Sequence, residues 1–483
     1  MQVFKNTLLL IIFYFSCIKS ANAAWYNNSW QFRKPITVQS SQVVADQTDF
    51  PVYLNLALLA GDNFFTNVRA DGADIRITRA DGFTELPFEL VNLNTVANTG
   101  ELHFKVSGNL SSTANTTFYI YYGNSTGVAY SENALYGAQN VWTANYQAVY
   151  HFSSNPTSTF FDSTANNNDG ATVGGMTLAN RVAGKLGDAF NFDGVNDYIN
   201  FGNKVNITSN KLHLSAWTYP EDTRSSAMIL NKENSYEIAF SSTRFQAAVE
   251  TNASGAWAWG GNLIRNLNNW EFVNFTHDNT IWRLYLDNDR SENITPASNQ
   301  TGNVRSAVSD LRIAARTSGS AFFKGTIDEL RISSIDRSAS WVRTEYNMQN
   351  SNSSFWSIGV FEARTGPQII SFIPPDNGRA LNVTNNLEIF FNAVPNLQNG
   401  NITIKNSLND SVYLNLDTNA SLLFNIVGNS LKISLPTPLF YNTNYYVEID
   451  SNSIKDFPGF TTNGVWNFNS GDMPYDINFF NRL

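Results

Sequence analysis

Strand-length runs of alternating apolar and polar residues recur along almost the whole chain, and no helical period competes with them over any comparable length. Lys34-Pro35-Ile36-Thr37-Val38, Pro51 to Leu56, Ile75 to Thr78, Leu102 to Val106 and Thr117 to Tyr122 are the first of these. Successive side chains of a strand point to opposite faces, so a period of two marks sheet buried on one side. Asp71-Gly72, Asp81-Gly82 and Gly123-Asn124 punctuate the runs with residue pairs suited to tight hairpin turns. The 35 Phe, 20 Tyr and 11 Trp fit the same picture, because aromatic side chains pack well on a pleated surface. The expected fold class is all-β, built from consecutive antiparallel sandwiches.

Met1 to Ala23 has the parts of a signal peptide: Lys5, an apolar run from Leu8 to Phe15, and Ala21-Asn22-Ala23 as a small-x-small cleavage site. That run is about half the roughly 20 residues a bilayer span needs, and no later segment approaches that length, so no transmembrane segment is expected in the mature chain. The single cysteine, Cys17, falls inside this segment. Tyr14-Phe15-Ser16 before it departs from the leucine-and-small-residue setting of a lipid-modified cysteine. A mature chain from Ala24 has no thiol for disulfides, zinc thiolates or a cysteine nucleophile. Loss of Lys5 and Lys19 takes the net charge from -9 to -11, against a nucleic-acid or anionic-membrane partner. The expected location is secreted or on the outer cell surface, with the periplasm as the alternative.

Three units follow. Trp30 to Val38, Ala73 to Thr78, Glu85 to Glu89 and Tyr119 to Asn124 resemble, in that order, a family of uncharacterised bacterial extracellular domains, which places a first sandwich at 24–140. Val141 to Tyr146, Ala148 to Phe152, the polar loop Asp162 to Gly170 and Ala189 to Ile199 then resemble the bacterial laminin-G-like, concanavalin A-type jelly roll. Leu212 to Trp217, Asn269 to Phe275, Trp282 to Asp287 and Phe323 to Ile332 continue that resemblance, which spans 141–362. Arg337 to Asn347 is spaced for one short helix with Ser338 as N-cap, expected beside the sandwich edge. Gly366-Pro367 opens a third unit, 366–470, whose strands resemble the Ig-like domain of bacterial surface-layer proteins. A tail, 471–483, has no sorting motif.

Chemistry is sparse. Glycan-cleaving enzymes need two carboxylates facing each other roughly 5 to 9 Å apart. No Glu-x-Asp-x-x-Glu or Glu-x-Asp-x-Glu occurs, and the adjacent Asp328-Glu329 is expected to point to opposite faces of its strand. His103, His151, His213 and His277 lie outside any nucleophile or zinc-protease motif, and Gly174-Gly175 and Gly260-Gly261 read as ordinary turns. No cofactor is required. Structural calcium is the one that oxygen donors leave room for, with Asp169, Asp193, Asp197 and Asp328 as its candidate ligands beside Asp162. In pentraxin-type relatives an acidic loop before the last strands supplies calcium ligands, whereas Ala314 to Ser318 puts Arg316 there. Trp257 and Trp259, at i and i+2, share a face if extended and are the candidate ligand-binding residues, against the alternative that both plug the core. The reading is a non-enzymatic protein that binds an extracellular glycan or protein ligand. Spacer of a surface layer or adhesin, and glycoside hydrolase, are its rivals.

Overall fold

Alternation becomes sheet throughout the computed structural model. It describes residues 25–472 apart from 28, 296–299, 365, 383–385, 420–421, 452, 456, 458 and 462–463. The expected signal peptide with Cys17, and the tail from 473 onward, lie outside the described residues. The fold is all-β, with several antiparallel sheets.

In the first sandwich, Phe32–Val38 pairs with Thr116–Tyr122, which pairs with Arg76–Arg79 and through it with Glu85–Leu86. The facing sheet is Gln47–Asn55, Thr99–Leu110 and Phe88–Asn94. Ile36, Val52, Phe104 and Ile120 alternate inward and are wholly buried. Far downstream, Trp356–Ile358 and Glu362–Ala363 come back to pair with Phe32–Val38. The segment that follows the jelly roll therefore completes the first sandwich.

The jelly roll has two eight-stranded sheets. One runs from Ala258–Ile264 at one edge through Arg244–Val249, Tyr236–Ser241, Ala227–Lys232, Leu311–Ile313, Tyr198–Asn200 and Gly170–Val173 to Thr159–Phe160. In the other, Lys324–Ser333 lies between Leu212–Pro220 on one side and Asp188–Asp193 and Tyr146–Tyr150 on the other. Tyr150, Phe190, Ile238, Phe275 and Ile313 fill the space between them. At Gly325 φ is +132° and a Cβ would stand 2.1 Å from the Tyr219 carbonyl oxygen, so only glycine lets these two strands close. Gly260-Gly261, expected as a turn, instead lies within the edge strand Ala258–Ile264, where the register shifts opposite Phe245 and Ala247.

The helix forms at Ala339–Asn350, and Ser338 Oγ accepts the Trp341 N–H at 3.2 Å. Its position differs from the expected sandwich edge. Its buried residues form one broad face, and it wedges between the first sandwich and the outer face of the jelly roll's second sheet. Trp341 meets Phe50 edge-on at 4.6 Å, while the Trp217 indole N–H donates to Gln349 Oε1 at 2.6 Å. Phe104, Trp142, Trp217, Phe272 and Trp341 belong to one hydrophobic core, so the first sandwich and the jelly roll are joined through shared apolar packing.

The last unit has its own core around Trp466, Phe391, Ile404 and Val447. Its two sheets are antiparallel except where Gly378–Leu381 pairs parallel with Asn467–Ser470.

Candidate functional site

Two places gather polar chemistry. The first is the outer face of the jelly-roll sheet that ends at Ala258–Ile264. Strand registers align Trp259 with Ala248, Ala248 with Glu237, Glu237 with Asn231, Asn231 with Arg312, and Arg312 with Asn200. Directly opposed residues share a face, so these side chains form one row across the sheet. Trp259 is 39% exposed and Trp257 is half-buried, while Ala258 between them turns to the core. The loop at Arg316 folds over the middle of the row: Arg316 donates to Glu237 at 3.0 and 3.2 Å, and Thr317 donates to Asn231 Oδ1. The guanidinium also sits 5.8 Å from the Trp259 ring and 3.8 Å from Glu233. Arg316 thus supplies the positive charge that Glu233 and Glu237 call for. Burial, only partly offset by Arg316, pushes the Glu237 carboxyl up to about 7.

The second place is the seam between the first sandwich and the jelly roll. His103 and His151 stack with ring centroids 4.6 Å apart. His151 donates through Nδ1 to Glu329 and stands 3.3 Å through Nε2 from Glu89, while His103 Nε2 is 3.0 Å from Glu101 Oε1. Arg331 bonds Glu329 at 2.6 Å and Glu345 at 2.5 Å. Burial opposes charge on His151, but Glu329 and Glu89 outweigh it and hold its pKa well above the usual imidazole range. Burial and the neighbouring His151 push His103 well below that range. Burial, reinforced by Glu329, drives Glu101 and Asp328 well above the carboxylate range, whereas His151 and Arg331 keep Glu329 below it despite its burial. Glu89, His151, Phe161 and Asp162 line a cleft of about 370 Å³ that opens from this seam.

Residues 193–343 match the model of the concanavalin A-like lectin/glucanases superfamily, and residues 363–470 match that of a bacterial Ig-like domain. The chain carries a concanavalin A-like domain and a bacterial Ig-like domain. No curated protein matches the sequence. Similar solved structures include domain 4 of the extracellular GH43 arabinanase of Geobacillus stearothermophilus, in complex with arabinotriose, at 20% identity, TM-score 0.33, and coverage of 42% of this chain and 98% of that one. The botulinum neurotoxin serotype G binding domain gives 12% identity, TM-score 0.33, and coverage of 63% and 73%. The CBM40 of the Ruminococcus gnavus IT-sialidase, bound to α2,3-sialyllactose, gives 8% identity, TM-score 0.25, and coverage of 29% and 83%. No helix among the described residues is long and apolar enough to cross a membrane.

Within the concanavalin A-like domain, the carboxylates considered for calcium are dispersed. Asp193 and Asp197 sit together in one turn, where Asp193 Oδ1 accepts the Val195, Asn196 and Asp197 N–H groups, and Asp197 Oδ2 accepts from Asn180. Asp169 lies in another loop and accepts the Asp162 N–H at 2.8 Å. Asp162 is itself used up by Val149, Thr164 and Asn168 donors. Asp328 is wholly buried at the seam, accepting the Leu186 N–H at 2.9 Å. Among the described residues the four side chains that do converge on potential metal-ligand geometry are Glu101, His103, His151 and Glu329.

One expectation is corrected here. Asp328 and Glu329 do not turn to opposite faces. Glu329 has φ +48°, and the register between Leu212–Pro220 and Lys324–Ser333 shifts where Ser215 faces Arg331 but Trp217 faces Asp328. The extra residue of this bulge brings both acids to the side away from the jelly-roll core, where they interact. All four histidines are buried, and two of them, His103 and His151, stack at the seam. The readable signal was Glu101-x-His103, which puts two ionisable groups on one strand face with no turn or exposed loop to explain them.

Proposed function

We propose that this protein is an extracellular, non-enzymatic glycan-binding protein whose concanavalin A-like domain takes sugar at the Trp259 end of the cross-sheet row. The observation that carries this reading is the exposed Trp259 indole beside the Arg316 guanidinium. An apolar ring face accepts the C–H face of a sugar, and a guanidinium at its rim donates to hydroxyl or carboxylate oxygens. Trp257, on the same strand side, extends the aromatic surface. The buried acids argue against hydrolysis. Glu101, Asp328 and Glu329 are at most 1% exposed, so no glycosidic oxygen reaches them. The first sandwich, packed on the opposite sheet of the jelly roll, and the Ig-like domain serve to position this face outside the cell.

The test is a glycan array probed with the full chain, with Trp259→Ala and, as a control for another exposed aromatic, Phe83→Ala. Selective binding that is lost in Trp259→Ala and kept in Phe83→Ala is the expected outcome. A blank array, or binding indifferent to Trp259→Ala, refutes the site and shifts the reading to a surface spacer.

A further inference from the structure

The donor atoms of Glu101, His103, His151 and Glu329 lie within 4.8 Å of one another, and none of the four residues is more than 5% exposed. Their backbones come from both bodies that meet at the seam. Glu101 and His103 stand at i and i+2 on Thr99–Leu110 of the first sandwich, hence on one face. His151 directly follows the jelly-roll strand Tyr146–Tyr150, and Glu329 projects from the bulge in Lys324–Ser333. Three of the four therefore sit on hydrogen-bonded strands, which fixes their positions better than loops would.

The spacing suits a metal ion. Ligands held about 2.0–2.1 Å from a tetrahedral ion stand about 3.3 Å apart. His103 Nε2 and His151 Nδ1 lie 3.0 and 3.8 Å from Glu101 Oε1, and His151 Nδ1 is closer still to Glu329. Adjustments of under an ångström, with Glu329 drawing back from His151, bring these three pairs to that spacing. The outer partners are also those a metal-bound imidazole uses. With Nδ1 on the ion, His151 donates its Nε2–H to Glu89, while Arg331 holds Glu329.

Unpartnered polar atoms point the same way. Glu89, Glu101, Asp328, Glu329 and Glu345 share this region with the guanidinium groups of Arg331 and Arg337 and two imidazoles. Among the described residues, Asp328 Oδ1 and Glu345 Oε2 are buried with no hydrogen-bond partner. An ion-pair network centred on protonated His151 is the simpler alternative. It accounts for Glu89 and Glu329, but it gives no role to the approach of His103 Nε2 and His151 Nδ1 to the same Glu101 oxygen. The cleft lined by His151 and Glu89 gives an ion an entry path.

We propose that Glu101, His103, His151 and Glu329 bind a divalent transition metal, zinc foremost, in a closed structural site that fastens the first sandwich to the concanavalin A-like domain. The site is separate from the sugar face at Trp259, so either reading can fail without the other.

The experiment uses the full chain, stripped with chelator, dialysed, and reloaded with Zn²⁺ or Co²⁺. Expected are one ion per chain by elemental mass spectrometry, proton release on binding, intense visible bands of tetrahedral Co²⁺, and a rise of several degrees in melting temperature. His103→Gln abolishes the Co²⁺ bands, whereas Glu89→Gln keeps them with affinity lowered about 10- to 100-fold. Sub-stoichiometric metal with no thermal shift from either ion overturns the proposal, as does a Co²⁺ spectrum unchanged by His103→Gln. If that variant does not fold, the wild-type Co²⁺ spectrum decides: octahedral or absent bands refute the site.

Discussion

Replacing Glu237 by Gln should stabilise the protein in mildly alkaline buffer and do almost nothing in acid. The Glu237 side chain is 1% exposed, bonded to Arg316 and Asn231, and burial raises its pKa from 4.5 to about 7. A folded-state value above the unfolded one means that the folded protein holds the proton more tightly. The associated stability is complete below about pH 4.5 and is lost as pH rises through 7. Ionising the group in the folded state costs on the order of 3 kcal/mol at pH 8. Glutamine stays neutral at both pH values and keeps a carbonyl for Asn231. Arg316 does not become a buried orphan, because its side chain is 29% exposed and Glu233 stands nearby. At about 2 °C per kcal/mol for a unit of this size, the jelly-roll transition in differential scanning calorimetry should rise by about 6 °C at pH 8. At pH 5 it should move by no more than about 2 °C. A fall in melting temperature at pH 8 would refute the reasoning, since it would mean that the Glu237–Arg316 pair is net stabilising and that the carboxyl ionises normally.

Other consequences are local. Ser338→Ala removes the acceptor for the Trp341 N–H and should lower stability by about 1 kcal/mol, read by denaturant unfolding. Gly325→Ala drives a methyl into the Tyr219 carbonyl at a backbone angle alanine avoids, and should cost about 3 kcal/mol or more, visible as loss of soluble, protease-resistant chain. Trp466→Ala empties the centre of the Ig-like core, at a cost of about 3–5 kcal/mol, and should lower only that domain's calorimetric transition while leaving sugar binding intact.

The fold was legible because its signal is local. Period-two runs and Asn/Asp/Gly turns are written in short stretches, and the helix announces itself through Ser338 and the spacing of Trp341, Val342 and Met348. The seam was hidden because its residues are scattered over 257 positions, from Glu89 to Glu345, and meet only when two sheets pack. Glu101 and His103 occupy the face that would be solvent-exposed in an isolated sandwich, so alternation alone gives them the wrong environment. The Asp328-Glu329 pair misled for a different reason. Strict alternation fails at a bulge, and nothing in Gly325 to Arg331 marks Glu329 as the residue with positive φ. At the Trp259 face, the spacing of Trp257 and Trp259 was readable, whereas the partnership of Arg316 with Glu237 depends on a loop that leaves Leu311–Ile313 and reaches across Ala227–Lys232 to Tyr236–Ser241.

The pairing of Phe32–Val38 with Trp356–Ile358 and Glu362–Ala363 also sets a timetable for biogenesis. On that edge Phe32–Val38 waits for partners more than 300 residues behind it, roughly a quarter of a minute to a minute of synthesis at about 5–20 residues per second. During that interval its edge is open to mispairing with other chains. A nascent chain halted just before Trp356 should therefore be cut by protease near Phe32 and be protected once Ala363 has emerged. Whatever escorts this protein must guard Phe32–Val38 until the segment that follows the jelly roll arrives.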